Sequence, residues 1–316
     1  MKQIMTVTGW QHPDDLGFCQ PHEHLMISAG ISSTLNPALC IDDVEKSIKD
    51  VLDYKKAGGQ TIIDAQPVGC NRMETALLEI SKRTGISIIA STGFHKHIFY
   101  PKNHWIFYEP LETLRDFFIH ELSVGMYTDI NQNFTKSYLP IKAGQIKVAF
   151  DTQGLTPMYQ KCFHAATQAA VTCDVPLMVH IEQGSAPLVL LKQLLSWGIP
   201  AKRIIFCHLD RRIMPLSYYT DVLEQGIVLE FDTIGRFKYH SDNEEAELIM
   251  KLLDLGFENQ LLISLDTTRE RLRSYNEDGI GLDYLFTSFL PLLKQFGVTK
   301  QQIEKITQKN IIRVFT

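Results

Sequence analysis

The sequence lacks any segment typical of a membrane or secreted protein. None of its apolar stretches approaches the roughly 18 continuous apolar residues that a membrane span requires. Residues 1–10 contain a single lysine and no apolar run long enough for the core of a signal peptide. We therefore expect a cytoplasmic protein without a membrane partner.

Paired cysteines and an excess of basic charge are missing as well. The 6 cysteines are scattered with no C-x-x-C pair, which argues against a disulfide framework and against a structural zinc cluster. The formal net charge is -5 at pH 7, and there is no basic stripe of the kind that contacts nucleic acid. We expect reduced thiols and no nucleic-acid partner.

Linkers are also lacking, because the 316 residues include no Pro/Ser-rich stretch, charge block or low-complexity tract. The composition, with 45% hydrophobic and 21% charged residues, is that of a globular protein with a large core. The sequence therefore predicts a single domain over residues 1–316.

What the sequence does contain is a regular alternation of short apolar runs with longer helical patterns, which indicates β/α units around a parallel sheet. The predicted strands cover residues 17–24, 61–65, 86–91, 145–150, 176–181, 203–208, 227–231 and 261–266. The predicted helices cover residues 42–57, 72–83, 111–124, 157–172, 186–197, 216–225, 243–255, 283–295 and 300–309. This arrangement predicts a (β/α)8 TIM barrel of the α/β class, with a doubly wound open sheet as the alternative.

A His-x-His pair lies at the end of the first predicted strand, in Pro21-His22-Glu23-His24. Side chains alternate between the two faces of an extended strand, so His22 and His24 share a face and form a pair of candidate metal ligands. Glu23 faces the other way and is not expected to bind the metal. Taken alone, the pair could equally be two solvated histidines of a surface loop.

Further candidate ligands lie along the later strands. His180, His208 and Asp266 end the fifth, sixth and eighth predicted strands, and Lys147 lies within the fourth. A barrel gathers the carboxyl ends of its strands at one mouth, where active sites form. Each residue alone could be an ordinary hydrogen-bonded core residue, but their common position favours a shared site.

Lys147 is the strongest indication of a functional site among these residues, because burying an ammonium group is costly unless the charge is paired or neutralised. A neutral lysine can add carbon dioxide to form a carbamate, whose anionic oxygens are able to bridge two metal ions. Such a bridge, four imidazoles and an aspartate would make a site for two divalent ions, compatible with zinc, manganese or cobalt.

These residues resemble the phosphotriesterase-like branch of the amidohydrolase superfamily, whose members are binuclear metal hydrolases with a (β/α)8 barrel. The resemblance runs from residues 21–25 to residues 310–315 and so covers nearly the whole chain. It implies two divalent ions, zinc in the first place, bridged by carbamylated Lys147. The implied ligands are His22, His24 and Asp266 for the more buried ion, and His180 and His208 for the more exposed ion.

The resemblance also implies a mechanism. A hydroxide shared by the two ions would attack an ester or lactone carbonyl or a phosphoryl group, and Asp266 would accept its proton and relay it to the leaving group. No nucleophilic serine is needed, and the sequence has no G-x-S-x-G elbow.

Two predicted loops, residues 94–110 and 232–243, are longer than packing requires and are rich in aromatic and basic residues. In a barrel both loops would lie at the mouth, where loops build active sites. As a set, their side chains suggest an anionic, polar substrate.

Within the family, the chain is most similar to the phosphorylated sugar lactonases. Lys238 and Arg269 match positions where those members hold phosphate, and Tyr239 and His95 are further expected substrate contacts. Leu272 departs from the pattern, because a tyrosine is expected there.

The resemblance therefore implies a phosphorylated sugar lactone as the small-molecule substrate. One alternative is a less polar substrate, such as an organophosphate triester or an acyl-homoserine lactone. Another is a catalytically silent metal-binding barrel. Whether the barrel pairs into a homodimer stays open.

Overall fold

Eight parallel strands, hydrogen-bonded in chain order, form one sheet that curls into a nearly closed barrel. The structure is a computed structural model and describes residues 2–131 and 133–316. The strands are β1 (Cys19–Glu23), β2 (Thr61–Asp64), β3 (Ser87–Gly93), β4 (Gln145–Phe150), β5 (Leu177–Ile181), β6 (Ile204–Cys207), β7 (Val228–Phe231) and β8 (Leu261–Ile263). The Asp266 amide, just after β8, donates to the His22 carbonyl of β1 at 3.0 Å and brings the two edges together. The predicted (β/α)8 barrel is confirmed.

Helices follow the strands and pack on the outside of the barrel. They are α1 (Val44–Ala57), α2 (Glu74–Thr84), α3 (Leu111–Ser123), α4 (Pro157–Cys173), α5 (Pro187–Ser196), α6 (Leu216–Leu223), α7 (Asp242–Asp254) and α8 (Leu290–Gln295, entered through the π-helical Leu285–Phe289). Lys300–Glu304, Lys305–Lys309 and Asn310–Phe315 form a last helical run. Side-chain caps fix some starts, as where Ser241 and Glu244 form a capping box before α7. Within the two described ranges, no helix has the length and apolar character needed to cross a membrane.

The sequence does not predict several short elements. These are the hairpin of Ile4–Thr6 with Gly9–Gln11, the hairpin of Met126–Tyr127 with Tyr138–Leu139, the helices Ile31–Leu35 and Trp105–Tyr108, and the final turn Asn310–Phe315. Strands of two or three residues are too short to show an alternating pattern. The eighth strand also ends earlier than predicted, at Ile263.

Alternation along the strands sorts the side chains into an outer and an inner set. Leu177 and Val179 of β5 join the large apolar cluster that lies between sheet and helices, whereas Met178 belongs to a second buried cluster inside the barrel. On β6, Ile205 and then Cys207 take the inward positions. The inner cluster also includes side chains of the last helical run, which fill the barrel at the amino-terminal ends of its strands. The polar side chains of the site lie at the opposite end, near the carboxyl ends of the strands.

A buried ion pair ties the loop after β2 to α3. Both guanidinium ends of Arg72 donate to the Glu121 carboxylate, at 2.8 and 3.0 Å, and Arg72 also donates to the Ser91 carbonyl at 2.8 Å. Glu121 is fully buried, and it accepts the Tyr127 amide of the second hairpin at 2.9 Å. The pair therefore joins β3, α3 and the hairpin.

We expect Arg72→Met to lower the free energy of unfolding by about 3–5 kcal/mol, because it leaves the Glu121 carboxylate buried without a counter-charge. Arg83→Met is the control, since Arg83 is 42% exposed and pairs with Glu45 and Glu79 at the surface, where such pairs contribute at most about 1 kcal/mol. Urea unfolding of both variants measures the difference. Equal losses would show that the Arg72 pair does not hold these elements together.

Candidate metal centre and substrate cavity

The two histidines of the His-x-His pair point into the barrel mouth together with Asp266. The Nε2 atoms of His22 and His24 lie 3.7 and 3.4 Å from Asp266 Oδ1. All three side chains are buried, and their donor atoms lie close enough together to hold one metal ion. His22 and His24 therefore point to the same side, as the alternation of side chains along a strand predicts.

Glu23, between the two histidines, faces away from them. Its carboxylate is fully buried and accepts the Ser264 hydroxyl at 2.8 Å, the Leu265 amide at 3.0 Å and the Thr267 hydroxyl at 2.7 Å. Glu23 thus anchors the segment after β8 to β1. That segment carries Asp266, so Glu23 supports the site without lining it.

Lys147 lies in the middle of the site. Its Nζ is 3.0 Å from His22 Nε2 and 3.9 Å from Cys207 Sγ, and the residue is 2% exposed. Among the described residues, no carboxylate lies within 4.0 Å of this nitrogen. The amine is thus buried without a carboxylate in contact, an arrangement that is costly for a charged group.

His180 and His208 complete the group from β5 and from the end of β6. Their rings lie 4.3 Å apart between centroids, and the His208 ring is 4.9 Å from that of His22. Burial holds the pKa of His22 and His208 well below the usual value and lowers the pKa of His180 to about 3. At neutral pH these imidazoles are uncharged, which is the form that binds metal ions.

Two buried carboxylates lie below these rings, and one of them, Asp232, is hydrogen-bonded to a ring. Asp232 accepts the Nδ1–H of His208 at 2.6 Å and the His208 amide at 3.2 Å, and it also lies 3.4 Å from His22 Nδ1. Glu230 lies 3.4 Å from the same His22 atom, and burial raises the pKa of Glu230 to about 8. A carboxylate on one ring nitrogen fixes the tautomer and leaves the other nitrogen free for a metal.

Two of the predicted ligands leave their strands with left-handed backbone. His208 has φ 69° and Asp266 has φ 48°, a region that residues other than glycine rarely occupy. Asp266 is held there by Arg236, which donates to its carbonyl and, at 3.0 Å, to its carboxylate. Burial would raise the pKa of Asp266, but Arg236 and the neighbouring histidines hold it well below the usual value.

The donor set fits divalent metal ions. It combines neutral imidazole nitrogens with an ionised carboxylate, and the Nε2 atoms of His22 and His24 face Asp266 Oδ1 at 3.7 and 3.4 Å. Nitrogen and oxygen ligands in this proportion suit zinc, manganese or cobalt. Within the described residues, the structure brings all six predicted ligands to one end of the barrel.

A cavity of about 400 Å³ opens above this group. Lys238, Tyr239 and His95, predicted as substrate contacts, line it. So do Arg236 and Arg271, whose Nε atoms are shut off from solvent without a hydrogen-bond partner among the described residues. Burial lowers the pKa of Arg271 to about 10, with the charge of Arg236 as a further cause.

Arg269 does not line this cavity, although the sequence predicts it there. Its guanidinium donates to Asp42 at 3.2 Å and to the Cys40 carbonyl at 3.1 Å, and it lies over the Tyr275 ring at 4.7 Å. These contacts hold it on the outer side of the loop after β8. Arg271, two residues later, takes the position on the cavity side.

Sequence reasoning missed three polar residues of the site. Asp232 supports His208, and Glu182 and Arg211 lie at the mouth, where Glu182 Oε2 is 3.0 Å from His180 Nε2. The first cause of the low pKa of Glu182 is this contact with His180. A usable signal was present, because each of the three lies within four residues of the end of a strand, where loops build the site.

Comparison with known proteins identifies relatives that share this fold over nearly the whole chain. The model of the phosphotriesterase family matches residues 2–315. A phospho-furanose lactonase of Mycoplasmopsis synoviae (strain 53) is 32% identical, over 99% of this chain and 91% of that protein. A solved lactonase of Listeria monocytogenes superposes with a TM-score of 0.90 at 28% identity, covering 100% of this chain and 99% of the other.

A third similar protein is the phosphotriesterase homology protein of Escherichia coli, solved with phosphate in its active site. It has a TM-score of 0.85 at 25% identity and covers 96% of this chain and 100% of its own. The family match spans both the barrel and the loops at its mouth. The chain therefore belongs to the phosphotriesterase family and is a metal-dependent hydrolase that acts on ester bonds.

Proposed function

We propose that the protein, as a single hydrolase domain over residues 1–316, opens a phosphorylated sugar lactone at a binuclear metal centre. The observation that carries this proposal is the pairing of two features in one cavity. Neutral buried imidazoles surround Lys147 at its base. At its wall lies Arg271, a partly buried arginine whose Nε and Nη1 atoms are shut off from solvent and have no hydrogen-bond partner among the described residues. The first feature suits metal ions and the second suits an anion.

In this proposal one ion is held by His22, His24 and Asp266, the other by His180 and His208, and carbamylated Lys147 bridges them. Two bound divalent ions, zinc in the first place with manganese or cobalt as alternatives, would supply a water nucleophile active at neutral pH and polarise the carbonyl. No carboxylate of the described residues lies within 4.0 Å of the Lys147 amine. A carbamate there would therefore not be in contact with a second negative group, which supports its formation.

Asp266 is the residue that would move the proton. It is ionised, since Arg236 and the histidines keep its pKa low, and it faces the imidazoles at 3.4 and 3.7 Å. Opening a lactone turns the ring oxygen into a hydroxyl group, which requires one proton. Asp266 can take that proton from the attacking water and deliver it, a role that contributes typically 10²–10⁴-fold to a rate.

The cations of the cavity would bind the phosphate. Arg271 has free donors, and Lys238 adds a point charge at the open side with Tyr239 beneath it, at 5.0 Å from ammonium to ring. His95 lies next to the site, its ring 5.6 Å from that of His180. A relative named as a phospho-furanose lactonase and another solved with phosphate in its active site support this choice of substrate.

The substrate itself can be tested with a panel of esters. We expect a phosphorylated pentonolactone to exceed its unphosphorylated form in kcat/KM by at least about 100-fold, since two charge-assisted contacts are lost together. The comparison should include an acyl-homoserine lactone and an organophosphate triester. Faster turnover of these apolar esters than of the phosphorylated lactone would contradict the proposed substrate.

The phosphate contact can be assigned with a pair of neighbouring arginines. We expect Arg271→Met to raise KM for the phosphorylated lactone by about 10- to 150-fold, from the loss of one contact of about 1.5–3 kcal/mol. Arg269→Met is the matched control and should change KM by less than about threefold. If the two effects are reversed, Arg269 moves into the cavity to bind the phosphate.

The carbamate on Lys147 has its own test. Protein prepared with ¹³C-bicarbonate should show a carbamate carbon resonance that Lys147→Met lacks, and that variant should bind fewer than two ions and lose more than about 100-fold in rate. Lys142→Met, just before β4, should keep the resonance. A Lys147→Met protein that still holds two ions would refute the bridge.

A further inference from the structure

Arg211 places a guanidinium group at the mouth of the barrel. It lines the cavity above the candidate metal ligands, and its side chain is 14% exposed. Its Nε is shut off from solvent without a hydrogen-bond partner among the described residues. In the same part of the chain, the nearest carboxylate oxygens lie 3.8 Å from Nη1, on Glu182, and 3.7 Å from Nη2, on Asp266. Both distances exceed that of a hydrogen bond, so the guanidinium can still donate to an anion in the cavity.

The backbone and the neighbouring side chains fix the place of this group. Arg211 ends the 3₁₀ turn that follows His208, and its amide donates to the His208 carbonyl at 3.4 Å. The guanidinium carbon lies 6.0 Å from the centre of the Tyr239 ring. Because Glu182 follows β5 and Asp266 follows β8, the guanidinium group lies across the mouth between the ends of these two strands.

Hydrolysis of a carboxylic ester creates negative charge on the acyl group. Water adds to the acyl carbon, and the bond from that carbon to the alkoxy oxygen breaks. The alkoxy oxygen takes one proton of the water, and the acid that forms releases the other proton to solvent at neutral pH. The acyl carbon then carries two oxygens that share one negative charge. A guanidinium group pairs with such a planar anion through two parallel hydrogen bonds.

We propose that Arg211 is a catalytic residue that donates to the acyl group of the substrate and to the carboxylate formed from it. Asp266, the residue proposed to move the proton, lies beside it, so Arg211 is near the bond that breaks. Donors held in place in this way stabilise the charge that develops in the transition state. The proposal rests on ester hydrolysis in this cavity, and not on a phosphate group or on the number of metal ions.

The first test compares two adjacent arginines at equal metal content. We expect Arg211→Met to lower kcat about 100-fold or more for the phosphorylated pentonolactone and equally for its unphosphorylated form, because both share the acyl group. Arg212→Met removes an exposed guanidinium and should stay within about twofold of wild type. A loss confined to the phosphorylated lactone would overturn the proposal and assign Arg211 to the phosphate. Wild-type rates in Arg211→Met would overturn it as well.

Binding of the product gives a readout that does not depend on turnover. Calorimetry compares the phosphorylated pentonate with the corresponding phosphorylated pentitol, which carries a hydroxymethyl group in place of the carboxylate. We expect Arg211→Met to weaken the pentonate at least about tenfold and the pentitol less than about twofold. Equal weakening of both ligands would count against the proposal, since the phosphate is the group that they share.

A conservative variant guards against a loss of folding. Arg211→Lys keeps a cation beside Asp266 and Glu182 and should retain the melting temperature and metal content of wild type. It should still weaken the pentonate by about three- to tenfold, because an ammonium group cannot pair with both carboxylate oxygens in one plane. A lysine variant that binds the pentonate as tightly as wild type would show that the guanidinium fork is not used.

Failure of the proposed substrate leaves this test intact. If no phosphorylated lactone is hydrolysed, the rates of the arginine variants are compared on an acyl-homoserine lactone, whose acyl group also becomes a carboxylate. A loss of about 100-fold in Arg211→Met on that ester would support the role of Arg211 while refuting the phosphorylated substrate. Hydrolysis of the organophosphate triester alone would refute both, because no carboxylate forms.

Discussion

The site depends on the burial of one amine. Lys147 occupies an inward position of β4, where its Nζ meets His22 at 3.0 Å and no described carboxylate within ion-pair distance. An isolated ammonium in such a place would cost several kcal/mol. The neighbouring histidines are uncharged for the same reason, since burial disfavours their cationic forms. The barrel thus produces a set of neutral nitrogen donors around Lys147, with Asp266 as the ionised group beside them.

Support for this set comes from carboxylates that the cavity does not expose. Asp232 holds His208, and Glu23 holds the segment that carries Asp266, each through several hydrogen bonds. Arg236 then binds Asp266 from the cavity side. Hydrogen bonds from the barrel interior and from the cavity wall therefore fix the positions of the His208 ring and the Asp266 carboxylate. This preorganisation agrees with ligands placed on strands rather than on free loops.

Much of this arrangement can be predicted from the sequence, because it follows from strand alternation. His22, His180 and Lys147 are polar residues in apolar runs, and a parallel barrel must bring such positions to one face. Which arginine lines the cavity cannot be predicted in this way. Arg269 and Arg271 lie in one short 3₁₀ turn without periodicity, and a residue 227 positions away, Asp42, draws Arg269 to the outside. The two hairpins and Glu182 likewise depend on tertiary contacts that no local pattern encodes.

The left-handed backbone at His208 and Asp266 restricts how this site can evolve. Of the residues that tolerate this region, glycine offers no ligand atom, and asparagine offers only a neutral amide oxygen. Cysteine or glutamate, which serve as metal ligands elsewhere, would add backbone strain of about 1–2 kcal/mol at each position. Substitution at positions 208 and 266 is therefore limited both by the loss of a polar donor atom and by backbone strain, whereas position 180 has ordinary backbone.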